Sequence, residues 1–159
     1  MITAQDDAVV DGNQLVRITA SASGFVDAEE SILITDDEAS TLTVTIDKSS
    51  LDEDGGTATG TVRRNANTSE ALIADLSSSD LGEANVPASV TIPAGSDSAT
   101  FTITGVDDSI VDGTQSVIIT ASADTFINGT AGIDVADDDV PTLTLSIDVG
   151  SISENGGTA

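Results

Sequence analysis

Runs of carboxylates recur along this sequence where apolar alternation breaks off: Asp52–Glu53–Asp54, Asp80, Asp107–Asp108 with Asp112, and Asp137–Asp138–Asp139. There is no His and no Cys to share a site with them. A group of acids with no imidazole or thiolate offers oxygen ligands only, and hard cations with six to eight oxygens suit it, Ca²⁺ above all; Mg²⁺ demands stricter octahedral geometry. Two carboxylates about 4 Å apart repel by roughly 4 kcal/mol at an effective dielectric near 20, so such a cluster does not hold its shape without a cation.

The acids recur at a fixed offset. Residues 2–58 align without a gap on residues 103–159, an offset of 103 − 2 = 101. Asp6, Asp7 and Asp11 reappear as Asp107, Asp108 and Asp112, Asp36–Asp37–Glu38 as Asp137–Asp138–Asp139, and Glu53 as Glu154. Charge that served only to solubilise loops, or to suit high salt, would not keep these offsets. It would be equally useful on the strand faces, which carry mostly Thr and Ser. A period near 100 residues is the size of a domain rather than of a solenoid turn. The sequence therefore divides into 1–39, the C-terminal part of one repeat; 40–139, a complete repeat; and 140–159, the start of the next. Both ends fall inside repeats, and the parent chain is expected to be longer.

The elements that must position the acids show a period of two. Leu42, Val44 and Ile46 alternate with Thr41, Thr43 and Thr45, and the pattern returns at Ala58–Val62, Leu72–Leu76, Val90–Ile92, Phe101–Ile103, Val117–Ala121 and Ile133–Val135. Seven short strands, rich in Thr, Val and Ile and separated by Gly, Asp, Asn and Ser turns, predict an antiparallel all-β sandwich of immunoglobulin-like architecture. If successive strands alternate direction, the acidic segments meet at one pole, with the Ala94–Asp97 hairpin at the other. Only Ala39–Ser40 or Val140–Pro141 separates the acids from the next strand, which favours a stiff rod over beads on a flexible linker.

Composition excludes several functions. The chain has 28 Asp+Glu against 4 Lys+Arg, a formal net charge of −24, which is unsuited to nucleic acid or an anionic membrane as partner. No apolar run approaches the roughly 18 residues of a membrane span, and no disulfide is available without Cys. Aromatic residues make up 2% of the chain, too few to line a sugar-binding or glycosidase cleft. Without His or Cys, and with Lys48 replaced by Val149 in the repeated segment, nothing assembles a catalytic group, and no enzymatic activity is expected. Gly55–Gly56 reads as a turn, and Phe126 as a plug beneath its loop. Asn67–Thr68–Ser69 and Asn128–Gly129–Thr130 fit the N-glycosylation pattern.

DEDGGTA and SENGGTA, SSSDLGEANVPASVTIPAGSDSATFTITGVDDSIVDG, and GIDVADDD running into the next repeat resemble the Calx-β family of sodium–calcium exchangers, one integrin β subunit and long bacterial surface proteins. The resemblance implies a seven-stranded sandwich binding several Ca²⁺ at one pole. Its ligands would be Glu53, Asp80, Asp107, Asp108, Asp112, Asp137, Asp138 and Asp139, with Asp6, Asp7, Asp11, Asp36, Asp37, Glu38 and Glu154 as their counterparts in the partial repeats. Ser109 stands where the exchanger domains often have a third acid and Gln115 where they often have Glu; both changes remove charge. The function expected is that of a Ca²⁺-binding structural repeat of a long extracellular surface, adhesin or filament protein. Ca²⁺ at the junctions would stiffen the rod, and the partners would be neighbouring repeats and identical chains in a fibre. A Ca²⁺-sensing module of a larger protein is the alternative.

Overall fold

The computed structural model describes residues 1–66 and 68–156. Its strands are β1 (Gln14–Ala20), β2 (Ala28–Ile34), β3 (Leu42–Ile46), β4 (Ser50–Asp52), β5 (Thr57–Arg64), β6 (Leu72–Ser78), β7 (Ala84–Asn85), β8 (Ser89–Ile92), β9 (Ser98–Gly105), β10 (Gln115–Ser122) and β11 (Gly129–Ala136). The described residues form no helix, and no helix is long and apolar enough to cross a membrane. The seven strands expected for the complete repeat are all present. Two more, β4 and β7, were not legible in the pattern. Each is too short to show alternation and owes its form to one neighbour, β4 pairing parallel with β11 and β7 antiparallel with β9.

Two sheets enclose the core, one in the order β4-β11-β10-β6-β8 and one in the order β3-β5-β9-β7. Alternation turns one face of each inward. In β5 Ala58, Gly60, Val62 and Arg64 are buried while Thr57, Thr59 and Arg63 are exposed. Ile92, Ile103, Ile119, Val62, Val117 and Val135 are fully buried between the sheets, and Phe126 packs partly buried against this core. With so few aromatic residues, branched aliphatic side chains fill the interior; they suit the pleated surface because their χ1 angles are already restricted. Phe101 is an exception. Its ring lies over Gly60, its direct partner in the β5–β9 ladder, and a methyl group at that glycine would overlap the ring.

Residues 14–34 form a separate two-stranded sheet, β1 with β2, whose register matches β10 with β11 at the 101-residue offset: Gln14 faces Ile34 as Gln115 faces Val135. Where 1–39 meets the sandwich, Val10 bridges to Ala66 and its N–H donates to the Asn65 carbonyl at 3.2 Å. The Asn65 side chain also accepts from the Thr41 N–H at 2.7 Å and donates to the Ala39 carbonyl at 3.1 Å. Residues 140–156 contain no strand, although 143–147 repeat the alternation of β3. In β3 the alternating residues pair with β5, and no second strand of that kind stands beside 143–147 among the described residues. Alternation decides which face a strand would bury, but pairing forms it.

Candidate metal centre

Strand direction brings the acids to one pole. β5 starts and β9 ends there, because the two run antiparallel with Thr57 opposite Thr104. β6 and β10 are antiparallel with Ile119 opposite Ser78, so the exit of β6 and the entrance of β10 share that end. β11 leaves at the same end, with Val135 opposite Gln115. Asp80, Asp107, Asp108, Asp112 and Asp137–Asp139 therefore emerge together, with the β4–β5 turn beside them. Asp97 lies at the far end of β5 and β9, as expected for that hairpin, and pairs with Arg63 at 3.0 Å.

Glu53 is the hub. The Gly56 N–H donates to the Asp52 carbonyl at 2.9 Å, closing the turn that presents Glu53, and the Glu53 N–H donates to the Ala136 carbonyl at 3.1 Å. That second bond pins Glu53 to the exit of β11, and the Asp138 N–H reaches its Oε1 at 3.4 Å. The residue is only 2% exposed. Its carboxylate belongs to two groups, Glu53–Asp137–Asp139 and Glu53–Asp107–Asp138, each with ligand oxygens all within 4.8 Å of one another. Oxygens on opposite sides of a Ca²⁺ ion lie roughly 5 Å apart, twice a bond of about 2.3–2.6 Å, so each group can close on one ion without rebuilding the backbone.

The electrostatics show what the pole lacks. Burial raises the Glu53 carboxyl above its ordinary value; the Asp138 N–H opposes this, while the charges of Asp137, Asp139 and Asp108 add to the rise. Asp139 is raised by burial and then by Asp137, Asp138, Asp107 and Asp108, and its Oδ2 is buried with no hydrogen-bond partner. Asp137 is held low by the N–H groups of Gly113 and Asp139, which donate to it at 2.6 and 2.8 Å. Gly113 has φ +77°, a conformation that glycine adopts without strain and that turns this N–H toward Asp137. None of the four basic side chains neutralises the cluster. Arg17 pairs with Glu29, Arg63 with Asp97, Lys48 donates to the Thr57 carbonyl, and Arg64 donates to the carbonyls of Thr68, Glu70, Pro93 and Ser96. Buried acids without a cationic side chain, one with an orphaned oxygen, fit a bound hard cation.

Residues 1–39 rebuild part of this arrangement. Asp6, Asp37 and Glu38 form a third group of carboxylates within 4.8 Å, the counterparts of Asp107, Asp138 and Asp139. Asp36 accepts from the Gly12 N–H as Asp137 does from Gly113. Asp7 accepts from Val9 at 2.8 Å as Asp108 does from Ile110 at 2.6 Å. Asp36 is held low chiefly by the Gly12 N–H, and Glu38 is raised chiefly by its side-chain contact with Asp36. A cleft of about 250 Å³ lined by Asp6, Asp7, Asp11, Asp36, Asp37 and Glu38 opens here, beside the Asn65 junction.

The remaining sequence-derived candidates are placed differently. Asp108 contributes charge to Glu53 and Asp139 while its Oδ1 caps its own loop. Asp80 and Asp112 are exposed at the pole and belong to neither Glu53 group. Glu154 sits in an exposed turn, apart from every carboxylate group of the described residues. Asn67 of the first glycosylation triplet, and Gly157–Ala159 of the last motif, lie outside the described residues. Glu83 was not singled out. It is only 8% exposed, and it is raised by burial and then by Asp112, Asp80, Asp108 and Asp137. Its one sequence signal was its place in the motif SSSDLGEANVP, three residues past Asp80.

No family model matches the chain, and no curated protein matches it. Among solved structures it is similar to the Calx CBD1 domain in its apo form, with TM-score 0.47 and 16% identity over 62% of this chain and 99% of that one. It is similar to CBD12 from CALX1.2 at TM-score 0.47 and 16% identity, over 61% of this chain and 46% of that one, so it spans about half of that structure. A FixG-related protein from Vibrio parahaemolyticus matches at TM-score 0.41 and 11% identity, over 60% and 95% of the two chains. Independently of these likenesses, the strand order and burial define an all-β sandwich with an acidic pole.

Proposed function

We propose that this chain is a Ca²⁺-binding structural repeat of a long extracellular surface, adhesin or filament protein, in which Ca²⁺ held at the junctions between repeats stiffens a rod. One observation carries the reading: buried Glu53 is shared by two carboxylate groups, and every basic side chain of the protein is engaged elsewhere. The motif resemblance to Calx-β domains points the same way. The third group, Asp6–Asp37–Glu38, supports the junction because it immediately precedes Ala39–Thr41, which Asn65 ties to the end of β5. A cation there would brace the short connection that enters the sandwich. Extracellular modules take up Ca²⁺ at about 10⁻⁴–10⁻³ M, which the exterior of a cell supplies. The role is structural, with no reaction catalysed. The test is calorimetric titration of the chain with CaCl₂, alongside melting curves in millimolar CaCl₂ and in chelator. Heat of binding with a clear rise in melting temperature is expected; a flat titration with superimposable melts would overturn the proposal.

A further inference from the structure

The β1–β2 sheet lacks the cover that its counterpart has. At the 101-residue offset Val16, Ile18 and Ile32 correspond to Val117, Ile119 and Ile133, which lie in the core. Val16 and Ile18 are 42% and 37% exposed, against 1% and 0% for Val117 and Ile119. Part of what buries β10 and β11 is the segment that opens the sandwich. Leu42 and Val44 of β3 pack into the same core. The Leu42 N–H donates to the Ile127 carbonyl at 2.9 Å, and the Ile127 N–H donates to the Ser40 carbonyl at 2.8 Å. β4 then runs parallel to β11, with Leu51 opposite Val135. Residues 140–156 carry the same set of side chains, Leu143, Leu145 and Ile147 for those of β3 and Ile152 for Leu51. They leave it in water: Leu143 is fully exposed and Leu145 is 88% exposed. One chain thus holds an open sheet and an unpaired segment whose counterparts fit each other.

The two cannot meet within one chain. Leu42 pairs with Arg64 at the far end of β5, so residues 1–39 join the sandwich at that pole, while residues 140–156 leave from the acidic pole. To set Leu143 against Val26, the counterpart of Ile127, the chain would have to run back along β5, of eight residues, and β1, of seven. At about 3.3 Å per residue that path is about 50 Å. Leu143 follows Ala136 by 143 − 136 = 7 residues, which span about 25 Å at most. We propose that residues 140–156 of one copy add to the β1–β2 sheet of a second copy, in the register of β3 and β4 on β11, and join chains head to tail. Val26 then takes the place of Ile127, and Ile34 that of Val135, opposite Ile152. The receiving turn is already shaped: the Phe25 N–H donates to the Ala22 carbonyl at 3.1 Å, as the Phe126 N–H does to the Ala123 carbonyl at 3.2 Å. Main-chain bonds to an open strand edge supply affinity in such an addition, and alternate side chains supply the register. Donor and acceptor are different surfaces at opposite ends of the chain, so the contact propagates rather than closing on a symmetric pair. One position resists. A Cβ at Gly129 would come within 2.7 Å of the Leu42 carbonyl oxygen, and the counterpart of Gly129 is Ala28, so the incoming strand must shift there.

Sedimentation velocity of the full chain over a range of concentrations tests the inference. Chelator is present, so that the outcome does not depend on Ca²⁺ uptake, and salt is high, so that the repulsion between two chains of net charge −24 is screened. The native chain should grow with concentration past the dimer. Leu145→Asp, at an exposed position, spoils the donor segment, and Ile18→Asp spoils the acceptor sheet. Each alone should raise the concentration of half-association tenfold or more. Their equimolar mixture should associate again but stop at the dimer, because each partner keeps one working surface. This holds even if Ile18→Asp unfolds the β1–β2 sheet, since its donor segment is untouched. Ala28→Gly removes the methyl group in the path of the incoming strand and should tighten association, a response that unspecific apolar stickiness would not give. A native chain that stays monomeric at every concentration overturns the inference. So does association that Leu145→Asp leaves unchanged, or a mixture that grows past the dimer.

Discussion

Replacing Glu53 with Gln should shift stability in opposite directions with and without Ca²⁺. The substitution keeps volume and shape, so packing around this nearly inaccessible side chain is little disturbed. In chelator it removes a charge repelled by Asp137, Asp139 and Asp108, and the melting temperature should rise. In Ca²⁺ it removes a ligand from both carboxylate groups at once. An ion that binds only the folded state at a hundred times its dissociation constant adds about 2.7 kcal/mol. For a sandwich of roughly 100 residues each kcal/mol moves the midpoint by about 4–8 °C, so each ion accounts for roughly 10–20 °C. If the lost ligand weakens an ion about a hundredfold, the same Ca²⁺ concentration leaves about 0.4 kcal/mol, and most of that increment disappears. Scanning calorimetry of both proteins in millimolar CaCl₂ and in chelator measures all four midpoints. A midpoint lowered equally in both buffers would refute the reasoning, since Glu53 would then be a packing residue and not a ligand.

Metal-free stability should depend on pH through the same groups. Glu53, Glu83 and Asp139 have raised values in the fold, so their contribution is complete below the ordinary carboxyl range and is lost as pH rises through the raised values. Asp137 and Asp97 are lowered, by backbone N–H groups and by Ser98 with Arg63 respectively; their contribution is present above the ordinary range and is lost as pH falls through the lowered values. The chelated protein should therefore melt highest on the acidic side of neutrality, and a midpoint that climbs steadily from pH 5 to 8 would contradict this. Gly60→Ala places a methyl group in the Phe101 ring and should cost about 1–3 kcal/mol in urea unfolding, partly recovered by adding Phe101→Leu. Arg64→Leu removes a buried guanidinium that donates to four carbonyls at the pole opposite the acids. It should cost about 3–5 kcal/mol while leaving Ca²⁺ affinity unchanged by titration; a large loss of affinity would mean that the two poles are coupled.

The alternation of Leu42–Ile46, Ala58–Val62 and Val117–Ala121 by itself determined seven strands and the faces they bury. That signal is local, because successive side chains of a strand point to opposite sides wherever the strand lies. The acids Asp107, Asp108 and Asp137–Asp139, with their counterparts Asp6, Asp7 and Asp36–Glu38, were legible too, since their spacing is written along one chain. Which of them meet was decided only by tertiary structure. Glu53 and Asp138 are 85 residues apart and touch because β4 pairs parallel with β11, a strand of three residues whose pairing no periodicity announces. Glu83 looked like one acid in a turn until β7 pinned it against the exit of β9 and buried it. The alternating residues 143–147 show the reverse: their pattern is as clear as that of β3, yet they form no strand. Burial and pairing are properties of neighbours, and in a sandwich the neighbours come from distant parts of the chain.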